Sequence, residues 1–134
     1  MKFLFISHGA FAESIVGSAQ MIVGEQTDFK TLGLYPEDDI EALKEKVRII
    51  FENYKGEEIL CFSDLFSGSP FNAIVEAMRD YHVQHITGMN LPIVLEAFML
   101  RQNTDITVDD IRKKLISMAS NTIIDVREFL EESE

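Results

Sequence analysis

The chain has 134 residues, of which 46% are hydrophobic and 26% are charged, and this predicts one globular domain spanning residues 1–134. Twelve Lys and Arg residues against twenty-three Asp and Glu residues leave a formal charge of −11, which opposes binding to the phosphate backbone of a nucleic acid. The same charge favours a protein partner with a basic docking face, because complementary potentials speed the encounter of two proteins.

Cysteine and hydropathy exclude several classes of protein. Cys61 is the single cysteine, so an intrachain disulfide and a cysteine-rich zinc site are both excluded, and a reducing compartment fits. The apolar run over residues 2–7 is far shorter than a signal-peptide core, and no other segment of the sequence approaches the roughly 18 apolar residues of a membrane span. We therefore expect a soluble, cytoplasmic protein.

Short apolar runs alternate along the chain with segments in which apolar residues recur at helical spacing. In chain order the pattern predicts a strand over 2–7, a helix over 11–23, a strand over 29–35, a helix from about 39 to 54, a strand over 58–63, a helix over 69–81, a strand over 83–87, a helix over 92–101 and a helix from 107 to 119 or beyond. Asp38, Ser69 and Thr107 are the predicted N-terminal caps of three of these helices.

Strands that alternate with helices predict an α/β fold, here a single-domain three-layer sandwich with a mostly parallel four-stranded sheet and helices on both faces. The tail is ambiguous. Residues 122–124 (Thr-Ile-Ile) favour a strand, whereas Val126, Phe129 and Leu130 could continue a helix. An extra C-terminal edge strand therefore remains open.

Ligands of parallel sheets bind beyond the carboxyl ends of the strands, which selects the loops after the first, third and fourth strands. The first loop begins with His8, and the second begins with Asp64. A neutral histidine is a nucleophile when a neighbour accepts a hydrogen bond from its other ring nitrogen. Asp64 is the candidate for that neighbour, although either residue alone has a plain structural explanation as a strand-end or turn residue.

The same loops suit an oxyanion. A phosphoryl group on His8 would carry close to two negative charges, and backbone N–H groups at helix starts stabilise such charges. Gly9 and Gly68 precede two predicted helix starts, and Ser69 adds a hydroxyl donor, although helix initiation alone would explain Ser69. The sequence lacks the clustered carboxylates of a divalent metal site and the glycine-lysine loop of a triphosphate site, so we predict no metal and no cofactor. His82 and His85 receive no functional role.

Three segments together carry a resemblance to a known family. His8-Gly9, Asp64 followed by Ser-Gly-Ser-Pro-Phe-Asn over 67–72, and Gly-Met-Asn-Leu-Pro over 88–92 resemble the enzyme IIA domain of the mannose-type sugar phosphotransferase system. The resemblance covers nearly the whole chain in order and spacing, apart from the last dozen residues. It implies a phosphocarrier that is phosphorylated on Nε2 of His8.

The resemblance also implies partners and residue roles. HPr would donate the phosphoryl group, enzyme IIB would accept it, and membrane permease subunits would use it indirectly for sugar uptake. Asp64 would orient His8, while Gly9, Gly68 and Ser69 would surround the phosphate. Family members are commonly homodimers that share a C-terminal strand. Residues 66 and 67 are Phe and Ser where the family often has tryptophan and glycine, a departure that bears on partner preference.

Two other functions remain open at this stage. A related IIA-like subunit that passes phosphate to a dihydroxyacetone kinase would share the fold and the histidine, although the loop over 67–72 favours the mannose type. A regulatory binding module, in which phosphorylated His8 acts only as a signal, belongs to another class of function. A metal-dependent hydrolase using Asp64 is disfavoured, because the carboxylates are not clustered.

Overall fold

The computed structural model describes residues 1–133, in which strands and helices alternate as predicted. The elements are β1 (Lys2–His8), α1 (Phe11–Val23), β2 (Phe29–Leu34), α2 (Ile40–Asn53), β3 (Ile59–Ser63), α3 (Ser69–Ala77), β4 (Gln84–Thr87), α4 (Leu91–Leu100), α5 (Val108–Met118) and α6 (Val126–Glu132). A short 3-10 turn over Ala119–Asn121 links α5 to the tail.

The four strands form one parallel sheet in the order β2-β1-β3-β4. β1 lies in the interior of the sheet, where Ile6 is in register with Leu32 of β2 and with Ser63 of β3. Five consecutive residues of β1, from Phe3 to Ser7, are buried, which explains the unbroken apolar run in the sequence. The predicted α/β fold is confirmed.

The two faces of the sheet are covered by different helices. On one face α1, α4 and α5 pack against a core rich in phenylalanine, in which the rings of Phe5 and Phe62 stack at 4.8 Å. On the other face α2 and α3 cover Leu4, Ile6 and Cys61. Burying one such side chain stabilises the fold by about 1.5–3 kcal/mol. The three-layer arrangement is therefore the one predicted.

Two of the predicted helix caps are wrong by one residue. Asp39, not Asp38, caps α2, because its carboxylate accepts the N–H of Glu41 while that of Asp38 accepts the N–H of Tyr35 and closes the preceding turn. Ser69 is the first helical residue of α3, and Gly68 occupies the cap position with an extended backbone. Thr107 caps α5 as predicted, within a complete capping box.

The tail resolves in favour of a helix. Residues 122–125 belong to no strand within the described part of the chain, so the sheet has no fifth strand there. Three hydrogen bonds explain this. Thr122 is held by hydrogen bonds to Asn90 and to the carbonyl of Ala119, and Asp125 caps α6 by accepting the N–H of Glu128. Among residues 1–133, no helix has the length and apolar character needed to cross a membrane.

Candidate functional site

The site lies at the carboxyl edge of the sheet, where the neighbouring strands β1 and β3 end. His8 is the last residue of β1, and Asp64 directly follows β3. Because these strands are parallel and adjacent, residues at their ends meet, although 55 residues separate them in the sequence. The structure thus brings together the two side chains that the sequence singled out.

A single carboxylate oxygen of Asp64 holds His8 at two points. Oδ2 lies 2.8 Å from Nδ1 of the imidazole and accepts the backbone N–H of His8 at 2.9 Å. An ionised carboxylate can only accept hydrogen bonds, so this contact places a proton on Nδ1. In the neutral imidazole Nε2 then keeps its lone pair, and half of the His8 side chain is exposed. The geometry is that of an oriented, accessible nucleophile.

The other carboxylate oxygen of Asp64, Oδ1, is buried and has no hydrogen-bond partner among residues 1–133. Only 14% of the Asp64 side chain is exposed, so water screens its charge less than it would at the surface. Asp64 is therefore a largely shielded carboxylate, and its hydrogen-bonded oxygen contacts His8.

The backbone before α3 lies against the edge of the imidazole that carries Nε2. A Cβ atom at Gly68 would stand 2.8 Å from Cε1 and 3.4 Å from Nε2 of His8, so only glycine leaves room for the ring in this position. Ser67, the preceding residue, has a left-handed backbone with φ of 69°, which turns the chain toward His8. The first N–H groups of a helix have no partner within it, and α3 begins beside Nε2.

A glycine pair and a buried serine shape the turn after β1. Gly9 has φ of 52°, and its N–H donates to the carbonyl of Leu34. Gly33 lies in β2 where a Cβ atom would overlap the carbonyl oxygen of Gly9. The hydroxyl of Ser7, which is fully buried, accepts the N–H of Ala12 at 2.7 Å. Sequence reasoning missed Ser7 and Gly33, although a glycine inside a strand is a signal of close backbone approach.

An open groove runs from His8 along the loop after β2. It has a volume of about 520 Å³ and is lined by His8, Gly9, Leu34, Tyr35, Pro36, Asp38 and Ile40. On another side of the site, the loop after β3 exposes Leu65 and Phe66, the latter at 72%. A small-molecule site is usually an enclosed, concave pocket. This open, partly apolar surface suits the face of another protein better.

A hydrogen-bonded cluster of polar side chains, which the sequence did not predict, includes Ser63, the residue before Asp64. The hydroxyl of Ser63 lies 2.8 Å from Nε2 of His85 and 2.8 Å from the hydroxyl oxygen of Thr87. Burial lowers the pKa of His85 to about 4, so its imidazole is neutral near pH 7. His85 is thus a partly buried histidine whose ring is hydrogen-bonded, and His82 is exposed at the surface.

Cys61 takes no part in the site. Its side chain is buried in β3, on the face covered by α2 and α3. Burial raises the pKa of the Cys61 thiol, which keeps the sulfur protonated and poorly nucleophilic. Cys61 therefore acts as a small buried hydrophobic residue.

Comparison with known proteins gives consistent results. The family model EIIA-man, described as the PTS system fructose IIA component, matches residues 2–115. The fructose-specific EIIA component of the PTS of Bacillus subtilis (strain 168) is 29% identical over 126 residues, which cover 92% of this chain and 85% of that protein. The sorbose-specific EIIA component of Lacticaseibacillus casei is 28% identical over 108 residues, which cover 80% and 78% of the two chains. Among solved structures, the phosphotransferase system component EIIA from Streptococcus agalactiae has a TM-score of 0.85 at 25% identity and covers 95% of this chain and 98% of its own.

Proposed function

The chain belongs to the mannose-type family of EIIA components of the sugar phosphotransferase system, and from this premise we propose that it carries a phosphoryl group on Nε2 of His8. The observation that supports the proposal best is the 2.8 Å contact between Nδ1 of His8 and Oδ2 of Asp64. It orients the ring, fixes the tautomer and leaves Nε2 as the reactive atom. Membership in the family supports a role in phosphoryl transfer. The phosphorylated residue, the phosphoryl donor and the phosphoryl acceptor are our proposal.

The proposed reaction is a transfer between two histidines. The Nε2 lone pair of His8 attacks the phosphorus of a phosphohistidine on HPr, so that one P–N bond forms while the P–N bond of the donor breaks. The imidazole of phosphorylated His8 would keep the proton on Nδ1 and gain positive charge, which the carboxylate of Asp64 offsets. In the second step a histidine or equivalent nucleophile of enzyme IIB takes the phosphoryl group. Such a transfer depends mainly on alignment and on stabilisation of the equatorial oxygens.

The proposed phosphate site uses the start of α3 and the turn before α1. Ser69 is the first residue of α3, directly after the glycine that lies against the His8 ring. Its backbone N–H and hydroxyl are donors of the kind that an oxyanion needs. Gly9 and Gly68 would let the backbone approach the phosphate without a side chain in the way. We assign no metal to the transfer.

The proposed partners are HPr as donor and enzyme IIB as acceptor, with the membrane permease subunits served indirectly. The exposed apolar residues beside His8, among them Phe11, Tyr35, Leu65 and Phe66, would form the centre of the docking face. The net charge of −11 favours donors and acceptors with basic docking faces. The proposal also includes a cytoplasmic location and a homodimer.

The test is phosphorylation of the purified protein by phosphoenolpyruvate, enzyme I and HPr, followed by intact mass measurement. We expect one acid-labile phosphoryl group, a gain of about 80 Da, on the wild type and none on His8→Ala. His82→Ala is the matched control, because His82 is also an exposed histidine but precedes β4 and lies away from the site. This control should gain the same mass as the wild type.

A second measurement separates the proposal from its alternatives. Phosphorylated protein should lose its phosphate to an enzyme IIB of the mannose type and not to a nucleotide-loaded dihydroxyacetone kinase subunit. Transfer to the kinase alone would instead indicate the kinase-serving function. Absence of any mass gain in the wild type would contradict the phosphocarrier role itself.

A further inference from the structure

A polar cluster formed by Ser63, His85 and Thr87 lies on the face of the sheet that α3 covers. Ser63 directly precedes Asp64 in the sequence. Ser63 is fully buried at the end of β3 and is in register with Thr87 of β4. Its hydroxyl is within hydrogen-bond distance of both Nε2 of His85 and the hydroxyl of Thr87. A hydroxyl donates one hydrogen bond and accepts others, so Ser63 can satisfy both neighbours at once.

The backbone of Ser63, like its side chain, is hydrogen-bonded to β4 and the loop after it. Its carbonyl oxygen accepts the N–H of Gly88 at 3.0 Å and the N–H of Met89 at 3.2 Å. Both polar groups of Ser63 are therefore tied to β4 and to the loop that follows it. The next residue is Asp64, whose carboxylate reaches His8.

These bonds supplement a short strand pairing. β4 has only four residues and lies at the edge of the sheet, so few backbone hydrogen bonds join it to β3. The imidazole of His85 also packs against the ring of Phe71 in α3, at 5.2 Å between centroids. His85 thus joins β3, β4 and α3 at the point where the site loop leaves the sheet.

We propose that His85 is a positioning residue for phosphoryl transfer, which acts through Ser63 to hold the carboxylate of Asp64 against Nδ1 of His8. The proposal rests on the proposed function of His8. It requires no contact between His85 and the phosphoryl group. The neutral imidazole offers the hydrogen bond at Nε2, and the ring supplies the packing against Phe71.

Two substitutions at position 85 separate the hydrogen bond from the packing. His85→Phe keeps a ring beside Phe71 but removes the bond to Ser63, whereas His85→Gln keeps an amide that can bond Ser63. With phospho-HPr as donor, we expect His85→Phe to lower kcat at least about tenfold, because a displacement of about 1 Å in a site can cost up to about a hundredfold. The KM for phospho-HPr should stay unchanged, since His85 lies behind the docking face. His85→Gln should restore most of kcat.

A second readout does not depend on phosphorylation. The ¹⁵N chemical shifts of the His8 imidazole report which ring nitrogen carries the proton in the unphosphorylated protein. In the wild type and in His85→Gln the proton should reside on Nδ1, and in His85→Phe a mixture of tautomers should appear. If the wild type proves not to be a phosphocarrier, this measurement still decides whether His85 positions the pair.

Ser63→Ala tests the same hydrogen bond from the other side and replaces His85→Phe if that variant does not fold, as judged by circular dichroism. It should reproduce the kcat loss and the tautomer change, and Ser63→Ala combined with His85→Phe should be no worse than either change alone. Wild-type kcat and tautomer in folded His85→Phe would overturn the proposal. An equal loss of kcat in His85→Phe and His85→Gln would overturn it too, because the hydrogen bond would then not matter.

Discussion

Gly68 is the residue at which backbone and imidazole come closest. A side chain there would meet Cε1 of His8 at 2.8 Å, while the other edge of the ring is held by Asp64. The imidazole is therefore confined between a carboxylate and a bare backbone. A histidine that is fixed from both edges loses little freedom when the phosphoryl group arrives, which is the benefit of a preorganised site.

Gly68→Ala should slow phosphorylation of His8 by at least about tenfold, because the added methyl group must push the ring away from Oδ2 of Asp64. The rate of transfer from phospho-HPr, measured by rapid quench, checks this. Gly17→Ala is the matched control, since it adds the same methyl group on α1 where no atom outside the local helix backbone lies within 4 Å. An unchanged rate in Gly68→Ala would show that the ring is free to move.

The residues of the site differ in how well the sequence predicts them. His8 and Asp64 follow from strand ends and parallel topology, because the carboxyl ends of neighbouring strands meet wherever the loops go. Ser7 and Ser63 were not predicted to contribute, because each is a small polar residue at the end of an apolar run, and only the packed structure shows what its hydroxyl bonds. The contact of His85 with Ser63 was not predicted either, because the two residues lie on different strands, 22 residues apart.

At the scale of elements, α1 begins without a capping side chain at its own N-cap residue, Ala10. The missing acceptor comes from Ser7, which lies in β1 and bonds the N–H of Ala12. The helix start is thereby tied to the strand that carries His8. A capping contact of this kind couples the stability of α1 to the geometry of the turn over residues 8–10.

Ser7→Ala should lower the free energy of unfolding by about 1–3 kcal/mol, because it removes a cap and leaves a buried N–H without a partner. Urea unfolding monitored by circular dichroism at 222 nm measures the loss. Ser18→Ala serves as the control, because Ser18 is exposed on the same helix and surface changes stay within about 0.5 kcal/mol. Equal losses in both variants would contradict the capping role of Ser7.

Element types followed from periodicity, whereas their ends depended on local hydrogen bonds. β1, α1 and α5 begin and end within about a residue of the predicted positions, because a buried face sets the period of apolar residues. The choice between Asp38 and Asp39 as cap of α2 depends on the backbone conformation, which composition does not report. The tail was undecided because residues 122–124 have strand composition, and the contacts of Thr122 and the cap at Asp125 decided against a strand.

At the scale of the whole molecule, the partly buried His85 makes stability depend on pH. Burial lowers its pKa in the folded protein to about 4, against an ordinary value of 6.5. As pH falls below 6.5 the unfolded chain binds a proton that the folded protein does not bind until about pH 4. The free energy of unfolding therefore keeps its full value above pH 6.5 and decreases as the pH falls toward 4.

Between pH 7 and pH 4.5, the lowered pKa of His85 should reduce the free energy of unfolding by roughly 2–3 kcal/mol, at about 1.4 kcal/mol per pKa unit. Urea unfolding of the wild type and of His85→Phe at both pH values measures it. The free energy of unfolding of the wild type should fall relative to that of the variant as the pH is lowered. The comparison cancels the contributions of the carboxylates, which both proteins share. A constant difference at both pH values would show that the pKa of His85 is not lowered in the folded protein.

Five apolar residues of the C-terminal segment are exposed and lie close together in the sequence. Ile123 is 85% exposed, and Ile124, Val126, Phe129 and Leu130 are exposed beside it in the segment that leads into α6. Contiguous exposed apolar residues mark interaction surfaces on soluble proteins. The homodimer included in the proposed function would cover them, with each copy packing its tail against the other.

Ile124→Glu should therefore convert a dimer into a monomer, because a charge placed in an apolar interface has no partner there. Gel filtration with light scattering measures the mass of the particle. Met21→Glu is the matched control, since Met21 is an apolar residue on α1 that is even more exposed than Ile124, and this change should leave the dimer intact. Removal of residues from Asn121 onward should act like Ile124→Glu. A monomeric wild type, or a dimer that survives both changes to the tail, would contradict a tail-mediated homodimer.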